Sequence, residues 1–110
     1  MAQAQTQPQE PKPLLAKVEE VHHLIGKKWV NLIIHVLMEG PKRFSELHPI
    51  IPDLSKRMLN ERLKELETWE LLRRSVIPER PVRTVYALTD KGRELGAALG
   101  AVETWAMKWL

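Results

Sequence analysis

The sequence predicts a mainly α fold with a small β-hairpin, α+β in class, in the order α-α-α-α-β-β-α. Three observations lead there. Apolar residues recur three and four apart over most of residues 14–68, the period of a helix with one buried face. After Trp69 the period falls to two in "LLRRSVI" (71–77) and again in "VRTVYAL" (82–88), as in strands. A chain of 110 residues is also the size of one domain.

Residues 1–13, "MAQAQTQPQEPKP", offer almost nothing to bury and carry three prolines, which predicts a disordered tail before a folded domain at 14–110. A first helix should run from about Leu14 to Ile25, with Leu14, Leu15, Val18, Val21, Leu24 and Ile25 at helical spacing. Gly26 marks its end. The second, from about Lys27 to Glu39, is apolar nearly all round from Trp29 to Met38, as a buried central helix is. Gly40-Pro41 stops it, the glycine suiting a left-handed position and the proline unable to continue.

A short helix is expected from about Arg43 to His48, with Phe44 and Leu47 inward. Pro49 and Pro52 then bracket a tight connection. Ser55 is placed to cap a fourth helix, about 55–68. In it Leu59, Leu63 and Leu66 face a core, while Arg57, Asn60, Glu61 and Lys64 line the opposite side. The hairpin follows over about 72–88. Its turn is "PERP" (78–81), with Arg80 near the tip, and prolines at both ends suit an edge hairpin. Thr89 should cap the last helix, with Asp90 near its positive end.

Composition removes several classes of function. There is no cysteine, hence no disulfide and no cysteine zinc site, which points to an intracellular setting. No signal peptide opens the chain, and Asn31 and His35 break the best apolar run, so neither export nor a membrane is expected. The four histidines show no i, i+4 pair, and no metal or other cofactor is expected. No phosphate-binding glycine loop or nucleophile motif points to an enzyme.

Charge is uneven. Residues 41–64 hold six basic side chains against three acidic, and residues 73–93 six against two, while residues 65–72 hold three acids and no base. Clustered positive charge is the footprint of a nucleic-acid binder, though small domains also carry basic patches with no partner. The element order adds weight. A short helix joined by a tight turn to a basic second helix is the helix-turn-helix unit, and a hairpin directly after it is a wing. In that arrangement the second helix enters the major groove of double-stranded DNA and the wing lies on the adjacent backbone.

Lys56, Arg57, Asn60, Glu61 and Lys64 are then the candidates for base contact. Arginine can read guanine and asparagine adenine through paired hydrogen bonds, whereas Glu61 has the choice of cytosine or a neighbouring cation. Lys42, Arg43, Ser55, Arg62, Arg80 and Arg83 are candidates for phosphate contact, which positions without specifying. The competing reading for all of them is a solvated polar surface. Arg73 and Arg74 either face solvent or pair with Glu67 and Glu70.

"IGKKW" (25–29), "GPKRFSEL" (40–47), "SKRMLNERLKELE" (55–67), "LLRR" (71–74), "YALTDKG" (86–92) and Trp105 together resemble the HxlR-type winged helix-turn-helix regulators. The resemblance implies a prokaryotic, cytoplasmic transcription regulator that works as a homodimer through its terminal helices. It leaves room for a small-molecule effector but names none. Three departures stand out. Ala16 lies near the place where many members carry a sensing cysteine, so thiol sensing does not carry over. Lys27 replaces the second glycine of "GGKW", and Glu70 stands where a glycine often ends the recognition helix. A glutamate in a left-handed position costs about 1 kcal/mol or more, unless the turn takes another shape.

Gly92, Gly96 and Gly100 repeat every four residues in the last helix and invite a close backbone approach. One reading is a homodimer seam, shared with Leu14, Leu15 and Val18 of the first helix and widened by Trp105 and Trp109. The other is close packing within the subunit. For function as a whole, the alternative to a DNA-reading regulator is a winged-helix protein-interaction module without base readout.

Overall fold

The computed structural model describes residues 13–110. The expected disordered tail lies outside the described residues except for Pro13, which starts the first helix. Helix α1 (Leu14–Ile25) and helix α2 (Val30–Leu37) are followed by a two-residue strand β1 (Lys42–Arg43) and helix α3 (Phe44–Ile50). Helix α4 (Lys56–Thr68), strands β2 (Leu72–Ile77) and β3 (Arg83–Leu88) and helix α5 (Asp90–Trp109) complete the chain.

The caps expected from sequence form. Ser55 Oγ accepts the Met58 N–H at 3.0 Å, and Thr89 Oγ1 accepts the Gly92 N–H at 3.1 Å. Leu59, Leu63 and Leu66 are buried, in one core with Val30, Ile33, Ile34 and Leu37 of α2 and Leu47 of α3. Ile51 and Leu54 in the connection after α3 are also buried and pin its path.

Four details differ from expectation. Helix α2 starts at Val30 rather than near Lys27, because Trp29 takes a left-handed conformation with φ 80°. The turn before it is tied to α4: the Lys27 amine meets the Glu65 carboxylate, and Arg62 Nε donates to the Lys28 carbonyl at 2.9 Å. Leu32 is half exposed, so α2 is not buried all round. Pro49 falls inside α3 instead of ending it. Finally, β1 pairs with β3, making a three-stranded antiparallel sheet in the order β1-β3-β2. The hairpin therefore has an edge in β2 only, and β3 is central.

The C-terminal end of α4 is closed without glycine. The Leu71 N–H bonds to the Leu66 carbonyl and the Glu70 N–H to the Glu67 carbonyl, both at 2.9 Å. This pair of bonds is the Schellman motif, which needs a left-handed residue at Glu70, and Glu70 has φ 60°.

Candidate nucleic-acid interface

Helix α4 is held by its leucine face and presents the rest to solvent. Lys56, Arg57, Asn60, Glu61 and Lys64 are all exposed. Among the described residues, none of these side chains makes a hydrogen bond or ion pair within the chain. Glu61 thus does not take the neighbouring cation that sequence offered it. Five polar side chains aligned on one face and unspent on their own fold are free to meet an outside surface.

The cations around α4 divide. Arg43 is exposed in β1 at the start of α3, and Arg80 is exposed at the wing tip; neither is ion-paired among the described residues. Lys42 lies 3.4 Å from Glu39, and Arg83 lies 3.2 Å from Glu79. Both are surface pairs of small net worth, which a phosphate can replace. Ser55 uses its oxygen as a cap acceptor yet keeps its hydroxyl proton to donate. Arg62, also expected among the phosphate contacts, is the most engaged of these cations within the fold. Its guanidinium is held by Glu65 Oε1 at 2.8 Å and by the Lys28 carbonyl, so it fastens α4 to the turn before α2. Glu65 is the hub of this tie. The Lys27 amine, and then Arg62, hold its carboxyl below the usual carboxylate range against the opposing effect of burial.

The wing and α4 enclose a cleft of about 220 Å³ lined by Asn60, Lys64, Glu67, Arg74 and Tyr86. Arg74 stands directly across the ladder from Tyr86, and so does Lys42 on the other side. Opposed residues share a face, so the three form one row across the sheet. Glu67 Oε1 reaches Arg74 Nε at 3.9 Å. Burial pushes the Tyr86 hydroxyl pKa up. Sequence reasoning did not place Glu67, Arg74 and Tyr86 in a site. The period-two pattern puts Tyr86 on one face with Val82, Thr84 and Leu88, but only the strand register shows which cations it meets.

The glycine stripe resolves into two parts. A Cβ on Gly92 would stand 1.9 Å from the Leu71 carbonyl oxygen, and one on Gly96 would stand 2.4 Å from Met38 Sδ. Gly92 and Gly96 are buried against their own chain. The expected seam between copies is therefore corrected at these two positions to packing within the subunit. Gly100 has open space beside it. Leu14, Leu15, Val18, Trp105 and Trp109 remain exposed, at 77%, 70%, 38%, 56% and 65%. Leu32, Val102 and Met107, which sequence did not single out, are exposed as well. Past Leu99 no residue of α5 is buried.

Among the described residues, no three His, Cys, Asp or Glu side chains gather as metal ligands, and no helix is long and apolar enough to cross a membrane.

A short helix, a pinned turn, a helix with an unspent basic face and a hairpin wing define a winged helix-turn-helix protein of the transcription-regulator class. The model of the HxlR-like helix-turn-helix family matches residues 24–110. The chain belongs to that family. It is 52% identical over 90 residues to the HTH-type transcriptional regulator YodB of Bacillus subtilis, covering 82% of this chain and 80% of that one. An uncharacterised HTH-type regulator of Methanothermobacter thermautotrophicus is 42% identical over 91 residues, covering 83% and 70%. Among solved structures, the reduced form of Bacillus subtilis YodB superposes with a TM-score of 0.76 at 50% identity, covering 84% of this chain and 91% of that one. The redox regulator HypR in its reduced form gives 0.79 at 33% identity, covering 84% and 91%.

Proposed function

We propose that the chain is a sequence-specific DNA-binding transcription regulator acting as a homodimer in the prokaryotic cytoplasm. Helix α4 lies in the major groove and the wing lies on the adjacent backbone. The observation that carries this reading is the outward face of α4, whose Lys56, Arg57, Asn60, Glu61 and Lys64 have no partner in their own fold among the described residues. Lys42, Arg43, Ser55, Arg80 and Arg83 flank that face as phosphate contacts.

The homodimer is supported by the exposed Leu14, Leu15 and Val18 on α1 and the exposed Trp105 and Trp109 near the end of α5, because exposed apolar side chains on two terminal helices call for a cover. Two copies related by a two-fold axis also double the phosphate contacts and set half-sites about 34 Å, or a multiple, apart. Any effector acts without a thiol, since the 110 residues include no cysteine. That separates this chain from a disulfide-based response.

Selection of bound duplexes from a random-sequence pool tests the reading, with sedimentation of the same preparation alongside. A two-fold symmetric site and a dimer at micromolar concentration are the expected results. No enrichment over the starting pool would leave a protein-interaction module as the better description, and a monomer would remove the two-fold model.

A further inference from the structure

The cleft between α4 and the wing holds a group that base reading does not use. Tyr86 is 5% exposed, yet among the described residues its hydroxyl makes no hydrogen bond. A tyrosine packed this deeply into the sheet, with its unbonded hydroxyl on the wall of a cleft, offers that hydroxyl to an outside partner. The other walls say what kind. Lys64 and Arg74 bring two cations, and Asn60 brings an amide that can donate. A guanidinium fork matches the oxygens of a phosphate, and a lysine adds a point charge. A cleft of about 220 Å³ is roomy enough for one such group. The single acid there, Glu67, holds Arg74 only at 3.9 Å, loosely enough for a phosphate oxygen to displace it.

We infer that Lys64, Arg74 and the Tyr86 hydroxyl form a pocket for one phosphate group, with Asn60 at its rim and Glu67 occupying Arg74 until the phosphate arrives. The natural source, a backbone phosphodiester beside the bases under α4, rests on the DNA-binding reading. Filling the pocket fixes the depth and register of α4 in the groove, so that Tyr86 and Arg74 position the helix and its outer face reads.

The test uses full-length Tyr86→Phe, Arg74→Gln and Glu67→Gln variants, a duplex enriched by the parent, and an unrelated duplex. Tyr86→Phe should weaken both complexes by about tenfold, as loss of a hydrogen bond to a charged group does. It should leave the salt slope unchanged, since a phenol releases no counterion. Arg74→Gln should weaken both and flatten the slope by about one contact per subunit. Glu67→Gln should tighten both. Ethylation of single phosphates should block the parent at one backbone position in each half-site that no longer matters to Tyr86→Phe, a readout that packing alone would not move.

Inorganic phosphate at constant ionic strength separates the two sources. The chain has one tyrosine, so ring resonances of labelled tyrosine report on Tyr86 alone. A saturable response, with DNA binding indifferent to Tyr86→Phe, assigns the pocket to free phosphate. Unchanged DNA binding in Tyr86→Phe and Arg74→Gln, together with no tyrosine response, overturns the pocket. A parent that binds no duplex sinks the DNA reading instead, and the tyrosine response then decides the pocket: saturation keeps it and silence removes it.

Discussion

Gly92 lies so close under the Leu71 carbonyl that a Cβ there would stand 1.9 Å from its oxygen. That carbonyl also accepts the Thr89 N–H at 3.0 Å, so the start of α5 is locked to the turn where α4 hands over to the wing. Neither backbone can give way without breaking the lock. Gly92→Ala should therefore destabilise the fold by about 1–3 kcal/mol, the range for forced overpacking. Chemical denaturation of parent and variant measures it. A difference below about 0.5 kcal/mol, the scatter of an ordinary surface change, would contradict the close approach.

Glu70 makes the opposite case. It holds a left-handed conformation, at φ 60°, that a glycine adopts freely. The contact from Thr89 Oγ1, at 2.7 Å, goes to the Glu70 backbone carbonyl and survives substitution. Glu70→Gly is expected to raise stability by about 0.5–1 kcal/mol, the removed strain partly offset by the freer unfolded chain. A lower melting temperature for Glu70→Gly would show that the glutamate side chain contributes something its geometry does not reveal.

The Lys27–Glu65–Arg62 tie gives a pH dependence with a definite sign. The carboxyl of Glu65 is lowered in the fold, first by the Lys27 hydrogen bond. Its contribution is then fully present above the unfolded value, roughly 4.3, and is lost as pH falls through the folded one. Glu65→Gln should cost up to about 1 kcal/mol at neutral pH, since the pair is partly solvated. The gap between parent and variant should close in acid. A gap that stays constant from pH 7 to about pH 2.5 would mean that the charge is not what stabilises the turn.

What the sequence conveyed, and what it withheld, follows from range. The leucine face of α4, the caps at Ser55 and Thr89 and the hairpin are local patterns, and each stands where the spacing puts it. The start of α2 was not legible, because it depends on Glu65 and Arg62 reaching back across more than thirty residues. For the same reason Arg62 read as one more surface cation. Strand β1 is two residues long and exists only through its pairing with β3. The glycine stripe announced close packing correctly, but spacing alone could not say that Met38 and Leu71 of the same chain fill it. Glu70 was visible as an anomaly, and the fold resolved it in favour of the strained turn.

The central claim is that the outer face of α4 reads bases. Its most direct measurement is the base preference of Arg57→Ala and Asn60→Ala, profiled against a pool of single-position variants of the parent's selected duplex. Each substitution should relax preference at its own base pair, by roughly 1–3 kcal/mol, while the fold and the preferences elsewhere stay intact. Variants that rank every sequence as the parent does would contradict the claim and return this face to solvent.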